Sequence, residues 1–170
     1  MQDVPTLYGP VTRSQYEKAA QIRLLVCDVD GVLSNGFIYM GNNGEELKTF
    51  CTRDGAGMRA LLNAGIEIAI ITGRNSRIVS DRMRGLGVQH LVQGADQKLP
   101  HFEALLAKLG LTPEQAAYMA ISPVADAHPL VLARADLVTR LGGGVGAVRE
   151  VCDLILQAQG LGDYQPEASV

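Results

Sequence analysis

A chain of 170 residues, 47% apolar, 19% charged and with a formal net charge of −3, can build one hydrophobic core without staples. It lacks the charge of a disordered or nucleic-acid-binding protein. Three scattered cysteines, Cys27, Cys51 and Cys152, have neither CxxC nor Cys/His spacing, which argues against a disulfide framework or a zinc site and suits a reducing cytoplasm. The polar N-terminus has no signal-like apolar core and no run approaches a bilayer span, so the expectation is a cytoplasmic protein with neither membrane nor nucleic acid as partner.

In chain order, apolar runs alternate with segments of helical period, the pattern of a parallel sheet covered by helices. Residues 14–20 read as a leading helix and "LLVC" (24–27) as a first buried strand. "FIYMGNNGEELKTF" (37–50) sets "GNNG" between two half-alternating runs, a hairpin signal that interrupts the rhythm. "DGAGMRALLNAG" (54–65) reads as a helix capped by Asp54 and stopped by Gly65, and "IEIAII" after it as a buried strand. The spacing then predicts a helix over 75–87 ended by Gly85 and Gly87, a strand over 88–94, and a helix over 97–110 with Phe102, Leu105, Leu106 and Leu109 on one face. "TPEQAAYMAIS" enters a strand, "ADAHPLVLARA" (125–135) resembles a short helix, and "DLVT" (136–139) a last strand. The Gly-rich turn "LGGGVG" leads into a final helix over 147–160. With no repeat or linker, residues 1–170 read as a single domain, its core at about 22–160 and a polar tail at 161–170.

The stretch "LLVCDVDGVLSNG" sends an apolar strand into two aspartates one residue apart. At the carboxyl end of a parallel strand, Asp28 and Asp30 can face one site, one as nucleophile toward a phosphoryl group and the other as general acid and base. An anion attacking an anion needs neutralising charge, and magnesium is the natural supplier. Asp30-Gly31 also suits a plain turn. "IAIITGR" puts Thr72, Gly73 and Arg74 at the end of the next strand, where hydroxyl, backbone and guanidinium can hold phosphate oxygens, although Thr-Gly suits a simple strand-to-helix turn as well. Lys98 opens a helix, where the dipole prefers an acid, so an anionic ligand explains it better; a solvated lysine is the commoner fate.

Taken together, "DVDGVLSNG", "YMGNNGEELKTF", "RDGAGMRALL", "AIITGR", "GADQK" and "GGGVGAVREVCDLIL" resemble the haloacid-dehalogenase-like phosphatases, in their capless branch. The resemblance implies a Rossmann-like α/β fold: a parallel sheet with helices on both faces and an inserted β-hairpin at about 37–50. It implies that Asp28 is the nucleophile and a magnesium ligand, and that Asp30 is the acid/base and gives the metal its backbone carbonyl. Thr72 and Lys98 then bind phosphate, and Arg53 and Arg74 are candidates for contacting an acidic sugar. The implied activity is Mg2+-dependent hydrolysis of 3-deoxy-D-manno-octulosonate 8-phosphate through an aspartyl-phosphate, in lipopolysaccharide sugar biosynthesis. A nine-carbon keto-acid phosphate is the runner-up substrate. The hairpin of such proteins assembles a homotetramer in which a neighbour completes the pocket.

Such relatives carry an acidic GDDxxD loop, a short helix and another strand after the stretch matching "AAYM". Here Tyr118-Met119 runs straight into "AISPVADAHPL", as if that loop were excised. Its first aspartate is the relatives' third protein ligand to the metal, and neither Ile121 nor Ser122 is a carboxylate. The expectation is either a sheet one strand–helix unit short or a strand fused from two halves, with weak metal binding and at best a crippled phosphatase. The alternative class is an impaired deletion form or pseudo-phosphatase acting as an oligomeric binding protein. A receiver domain also gathers aspartates, a threonine and a lysine on a sheet rim, but the 37–50 hairpin has no place in one.

Overall fold

The computed structural model describes residues 3–120 and 135–161. Helix α1 (Arg13–Ala19) opens on a capping box, in which the Thr12 hydroxyl accepts from the Gln15 backbone and the Gln15 side chain returns the bond. There follow β1 (Leu24–Cys27), the hairpin strands β2 (Tyr39–Met40) and β3 (Glu46–Leu47), α2 (Thr52–Asn63), β4 (Glu67–Ile71), α3 (Arg77–Leu86), β5 (His90–Val92), α4 (Lys98–Leu109), β6 (Ala116–Met119) and α5 (Ala147–Ala158). The four core strands are all parallel in the order β5-β4-β1-β6, and β2 pairs with β3 apart from them.

Strand β1 is buried on both faces, as its unbroken apolar run demands. Leu25 and Cys27 point into a core shared with Met58 and Leu61 of α2, Val79 and Met83 of α3, and Val148, Val151, Cys152 and Ile155 of α5. Leu24 and Val26 point the other way, with Ala69 and Ile71, onto a smaller core closed by Phe102, Leu105, Leu106 and Leu109 of α4. Helices therefore cover both faces, and the four α4 residues picked out by spacing are those that pack. Among the described residues no helix is long and apolar enough to cross a membrane. The three cysteines are free.

Three expectations are corrected. Residues 136–139 form no strand, because among the described residues β6 is the last strand on its side. The Asp136 carbonyl instead accepts from the Gln15 side chain at 2.6 Å, and the Thr139 hydroxyl donates to the Leu141 carbonyl at 2.8 Å. The helix expected over 125–135 lies, Ala135 apart, outside the described residues. Gly85 does not end α3: the stop is Gly87, whose φ of 85° suits the left-handed C-terminal cap. Gly85 stays helical, and a Cβ there would meet no atom within 4 Å. Gly85→Ala is therefore expected to raise stability by about 0.5 kcal/mol, read from the denaturation midpoint.

Asp54 is the third correction. Cys51 is the N-cap of α2, and Asp54 sits buried in its first turn. Its Oδ1 accepts from the Arg149 backbone N–H at 2.8 Å, so it caps α5, a helix 95 residues away in sequence. Its other oxygen is buried without a partner among the described residues. Burial pushes the carboxyl up, against the pull of the backbone donors at Arg149 and Gly146. A raised acid costs stability only where the unfolded chain has ionised it, so the cost is absent below about pH 4 and grows as pH rises above that. Asp54→Asn keeps the acceptor and removes the charge. Its Tm is expected above the parent's near pH 7, with the gain vanishing below about pH 4, in thermal melts across that range.

Candidate active site

Strand β1 ends at Cys27, paired with Ile70 of β4 and Met119 of β6, and the Asp28 N–H still bonds the Met119 carbonyl at 2.8 Å. Asp28 therefore leaves the sheet from the middle of its carboxyl edge, 3% exposed, with one carboxylate oxygen accepting from the Val29 N–H at 2.7 Å. Gly31 turns the chain at φ 78°, and the Ser34 N–H closes the loop onto the Val29 carbonyl at 2.9 Å. The turn leaves Asp30 partly exposed at the mouth, beside the buried Asp28.

Each aspartate is held by a cation. Lys98, the first residue of α4, is ion-paired with Asp28, which resolves the misfit of a lysine at a helix N-terminus. Asp30 accepts from the Lys48 ammonium at 2.7 Å and lies 3.8 Å from Nε of Arg74. Lys48 was not foreseen as a site residue. It leaves the hairpin just past β3, and its side chain is only 8% exposed. It also lies 3.7 Å from Glu46, whose other carboxylate oxygen accepts from the Ser76 hydroxyl at 3.1 Å. The hairpin is thus tied to the mouth by charge as well as by chain.

Thr72 follows β4, 2% exposed, fixed by its N–H to the Val92 carbonyl and its own carbonyl to the Ala95 N–H, both at 3.0 Å. Gly73 beside it is not sterically required, since a Cβ there would meet only the Ala95 carbonyl at 3.7 Å. Arg74 joins the aspartates through Asp30. Arg53 meets the Gly-rich turn before α5, its guanidinium donating to the Val145 carbonyl at 2.9 Å.

That turn is a second feature the sequence reading passed over. A Cβ on Gly143 would collide with the backbone of Gly31, and one on Gly144 with the backbone of Ser34 and Asn35, while the Gly144 N–H bonds the Val32 carbonyl at 2.9 Å. The "GGG" run is there because one loop lies backbone to backbone against the aspartate loop. Tyr118 is also new. Burial, then the Asp28 charge, pushes its phenol up to about 12, so it stays neutral, and its buried hydroxyl has no hydrogen-bond partner among the described residues.

Among the described residues no three metal-ligating side chains converge. Residues 121–134, where the acidic loop was judged missing, lie outside the described residues. Two carboxylates at the mouth still suit magnesium, which takes one or two carboxylates together with substrate phosphate and water rather than an all-protein cage. The two lysines, cations already seated on those carboxylates, mark where a metal's charge would be accepted. On the surface, Phe37, Ile38, Met40 and Leu47 of the hairpin are exposed, Phe37 by 71% and Met40 by 88%.

No protein-family model matches the chain. It is 55% identical to the 3-deoxy-D-manno-octulosonate 8-phosphate phosphatase KdsC of Escherichia coli K12, over 169 residues that take in 91% of this chain and 90% of that protein. The crystal structure of the phosphatase of that name from Yersinia pestis superposes with a TM-score of 0.91 at 51% identity, covering 94% of each chain. The Moraxella catarrhalis phosphatase, solved in complex with magnesium, phosphate and a KDO molecule, superposes with a TM-score of 0.84 at 40% identity, covering 88% of this chain and 94% of that one. With the parallel sheet and its flanking helices in place, identity of this extent shows that the chain belongs to the 3-deoxy-D-manno-octulosonate 8-phosphate phosphatases, within the haloacid-dehalogenase-like superfamily.

Proposed function

We propose that this chain is a magnesium-dependent phosphomonoesterase acting on 3-deoxy-D-manno-octulosonate 8-phosphate, in lipopolysaccharide sugar biosynthesis. The observation that carries the reading is the buried Asp28 carboxylate at the carboxyl end of the central strand, ion-paired to Lys98 and one residue from Asp30. An Asp28 oxygen attacks phosphorus as the ester P–O bond breaks, and Asp30 gives the leaving oxygen its proton. Asp30 then takes a proton from the water that attacks the aspartyl-phosphate, which frees inorganic phosphate and restores Asp28. Lys98, the Thr72 hydroxyl and the Gly73 backbone hold the phosphate oxygens, and Arg74 and Arg53 serve the acidic sugar. Magnesium, held by the Asp28 carboxylate and the Asp30 backbone carbonyl, would offset the repulsion between anions.

The same reading takes the chain as one cytoplasmic domain, assembled as a homotetramer through the 37–50 hairpin. The apolar, exposed Phe37, Ile38 and Met40 support that assembly. Met40→Asp is expected to shift the sedimentation coefficient to that of a smaller species. The excised loop also belongs to this reading. The match to the Escherichia coli protein runs over 169 residues yet takes in only 91% of a 170-residue chain, as an internal gap would make it. The impaired binding-protein alternative is not favoured, given the extent of identity to named phosphatases.

The test is release of inorganic phosphate from 3-deoxy-D-manno-octulosonate 8-phosphate, a nine-carbon keto-acid phosphate and an aryl phosphate, each with magnesium and with EDTA. Magnesium-dependent turnover with the highest kcat/KM on the eight-carbon substrate is expected. Preference for the nine-carbon ester would reassign the substrate, and no turnover on any would overturn the reading.

A further inference from the structure

We propose that Asp54 is a positioning residue for the loop that carries Asp28 and Asp30, acting on it through α5 and the Gly-rich turn, an inference that rests on the proposed function. Asp54 takes no part in the chemistry; its role follows from how α5 begins. The N-cap of α5 is Gly146, whose φ of 121° favours glycine and which has no side chain to cap the first turn. Asp54 supplies the missing acceptor from α2. Its carboxylate takes the N–H of Arg149, the third residue of α5, at 2.8 Å, as a capping side chain would. Two neighbours hold the same join. A Cβ on Gly57, one turn further along α2, would crowd Arg149 and Cys152, so glycine lets the two helices come this close. Arg53 donates to the Val145 carbonyl at 2.9 Å, just ahead of the N-cap.

From α5 the constraint passes to the aspartates through backbone. The Gly144 N–H bonds the Val32 carbonyl at 2.9 Å, and Gly143 lies where a Cβ would collide with Gly31. Gly31 and Val32 belong to the loop that the Ser34 N–H closes onto the Val29 carbonyl. Backbone groups in contact have no rotamers with which to absorb a shift, so a displaced first turn of α5 is handed on to Asp30 and Asp28. Thr72 and Lys98, which hold the phosphate, stand at the end of β4 and the start of α4, off this path. Loss of the Asp54 acceptor therefore falls on the attacking and proton-transferring groups and spares substrate binding.

The test compares Asp54→Ala, Asp54→Asn and Gly87→Ala with the parent as full chains, each checked by circular dichroism. Phosphate release from 3-deoxy-D-manno-octulosonate 8-phosphate with magnesium is measured well below the denaturation midpoints. Asp54→Ala is expected to lower kcat by about tenfold or more, with KM within about threefold of the parent's, because misplacing a reacting group by about 1 Å can cost about 10²-fold. Asp54→Asn keeps the acceptor and should hold kcat within about twofold. Gly87→Ala strains the left-handed cap of α3, where a Cβ would meet only Leu62, and should lose stability with kcat unchanged. Parental kcat in Asp54→Ala overturns the proposal, as does an equal fall in Asp54→Asn or in Gly87→Ala. A second measurement needs neither variant nor turnover. Amide exchange of the parent should show the Ser34, Gly144 and Arg149 N–H groups opening together, with one common protection. An Arg149 N–H that exchanges while Ser34 and Gly144 stay protected overturns the proposal, and this result decides if Asp54→Ala fails to fold. If the parent releases no phosphate, the function falls and the exchange still decides the positioning; turnover with uncoupled exchange does the reverse.

Discussion

Asp28→Asn should abolish phosphate release, lowering kcat by about 10⁴-fold or more, while the far-ultraviolet circular dichroism stays that of the parent. The amide keeps an oxygen for the Val29 N–H and nearly the same volume at the end of β1, so the sheet has no reason to rearrange. What it loses is the anion. An amide oxygen does not form the aspartyl-phosphate, and Lys98 loses the counter-ion that holds it at the mouth. The loss should therefore appear in kcat under saturating substrate and should not be recovered by raising magnesium. Activity within tenfold of the parent would mean that another group attacks phosphorus.

Gly143→Ala is expected to damage the site from a distance in sequence of more than a hundred residues. The new methyl would be driven into the Gly31 carbonyl, and a backbone neighbour has no rotamer with which to yield. The two loops must separate, at a cost of about 2–3 kcal/mol, read as a lowered midpoint in urea. The loop that must give way carries Asp30 and follows Asp28, so kcat/KM should fall together with stability. Gly85→Ala, the same chemical change in a helix with open space around it, moves stability the opposite way. The pair separates what the Gly-rich turn does from what glycine does in general.

These residues also mark how far the sequence was legible. Strand β1 was placed at its observed bounds, because four apolar residues between Arg23 and Asp28 leave few alternatives for a doubly buried strand. The facing residues of α4, the hairpin and the gathering of Asp28, Asp30, Arg74 and Lys98 on one rim followed in the same way, from period and from the ends of strands. Thr72 has the edge position assigned to it, whereas Arg53 is engaged by the turn before α5. The failures share one cause. Lys48 reaches Asp30 across 18 residues, Gly143 meets Gly31 from a distant part of the chain, and Asp54 caps a helix at the other end of the chain. Each is a contact between segments whose local patterns are complete without it: "EELK" reads as a hairpin edge, "GGGVG" as a turn, and Asp54 as the cap of its own helix. Periodicity carries no information about a partner that far off.

The central claim is that Asp28 takes the phosphoryl group onto itself, and the most direct measurement is to catch it there. The chain, mixed with magnesium and 3-deoxy-D-manno-octulosonate 8-phosphate and quenched in acid during turnover, should yield a peptide containing Asp28 that carries one phosphoryl group, lost on treatment with hydroxylamine and absent from Asp28→Asn. Steady release of phosphate with that peptide unmodified at every quench time, or the label on a different residue, would contradict the account.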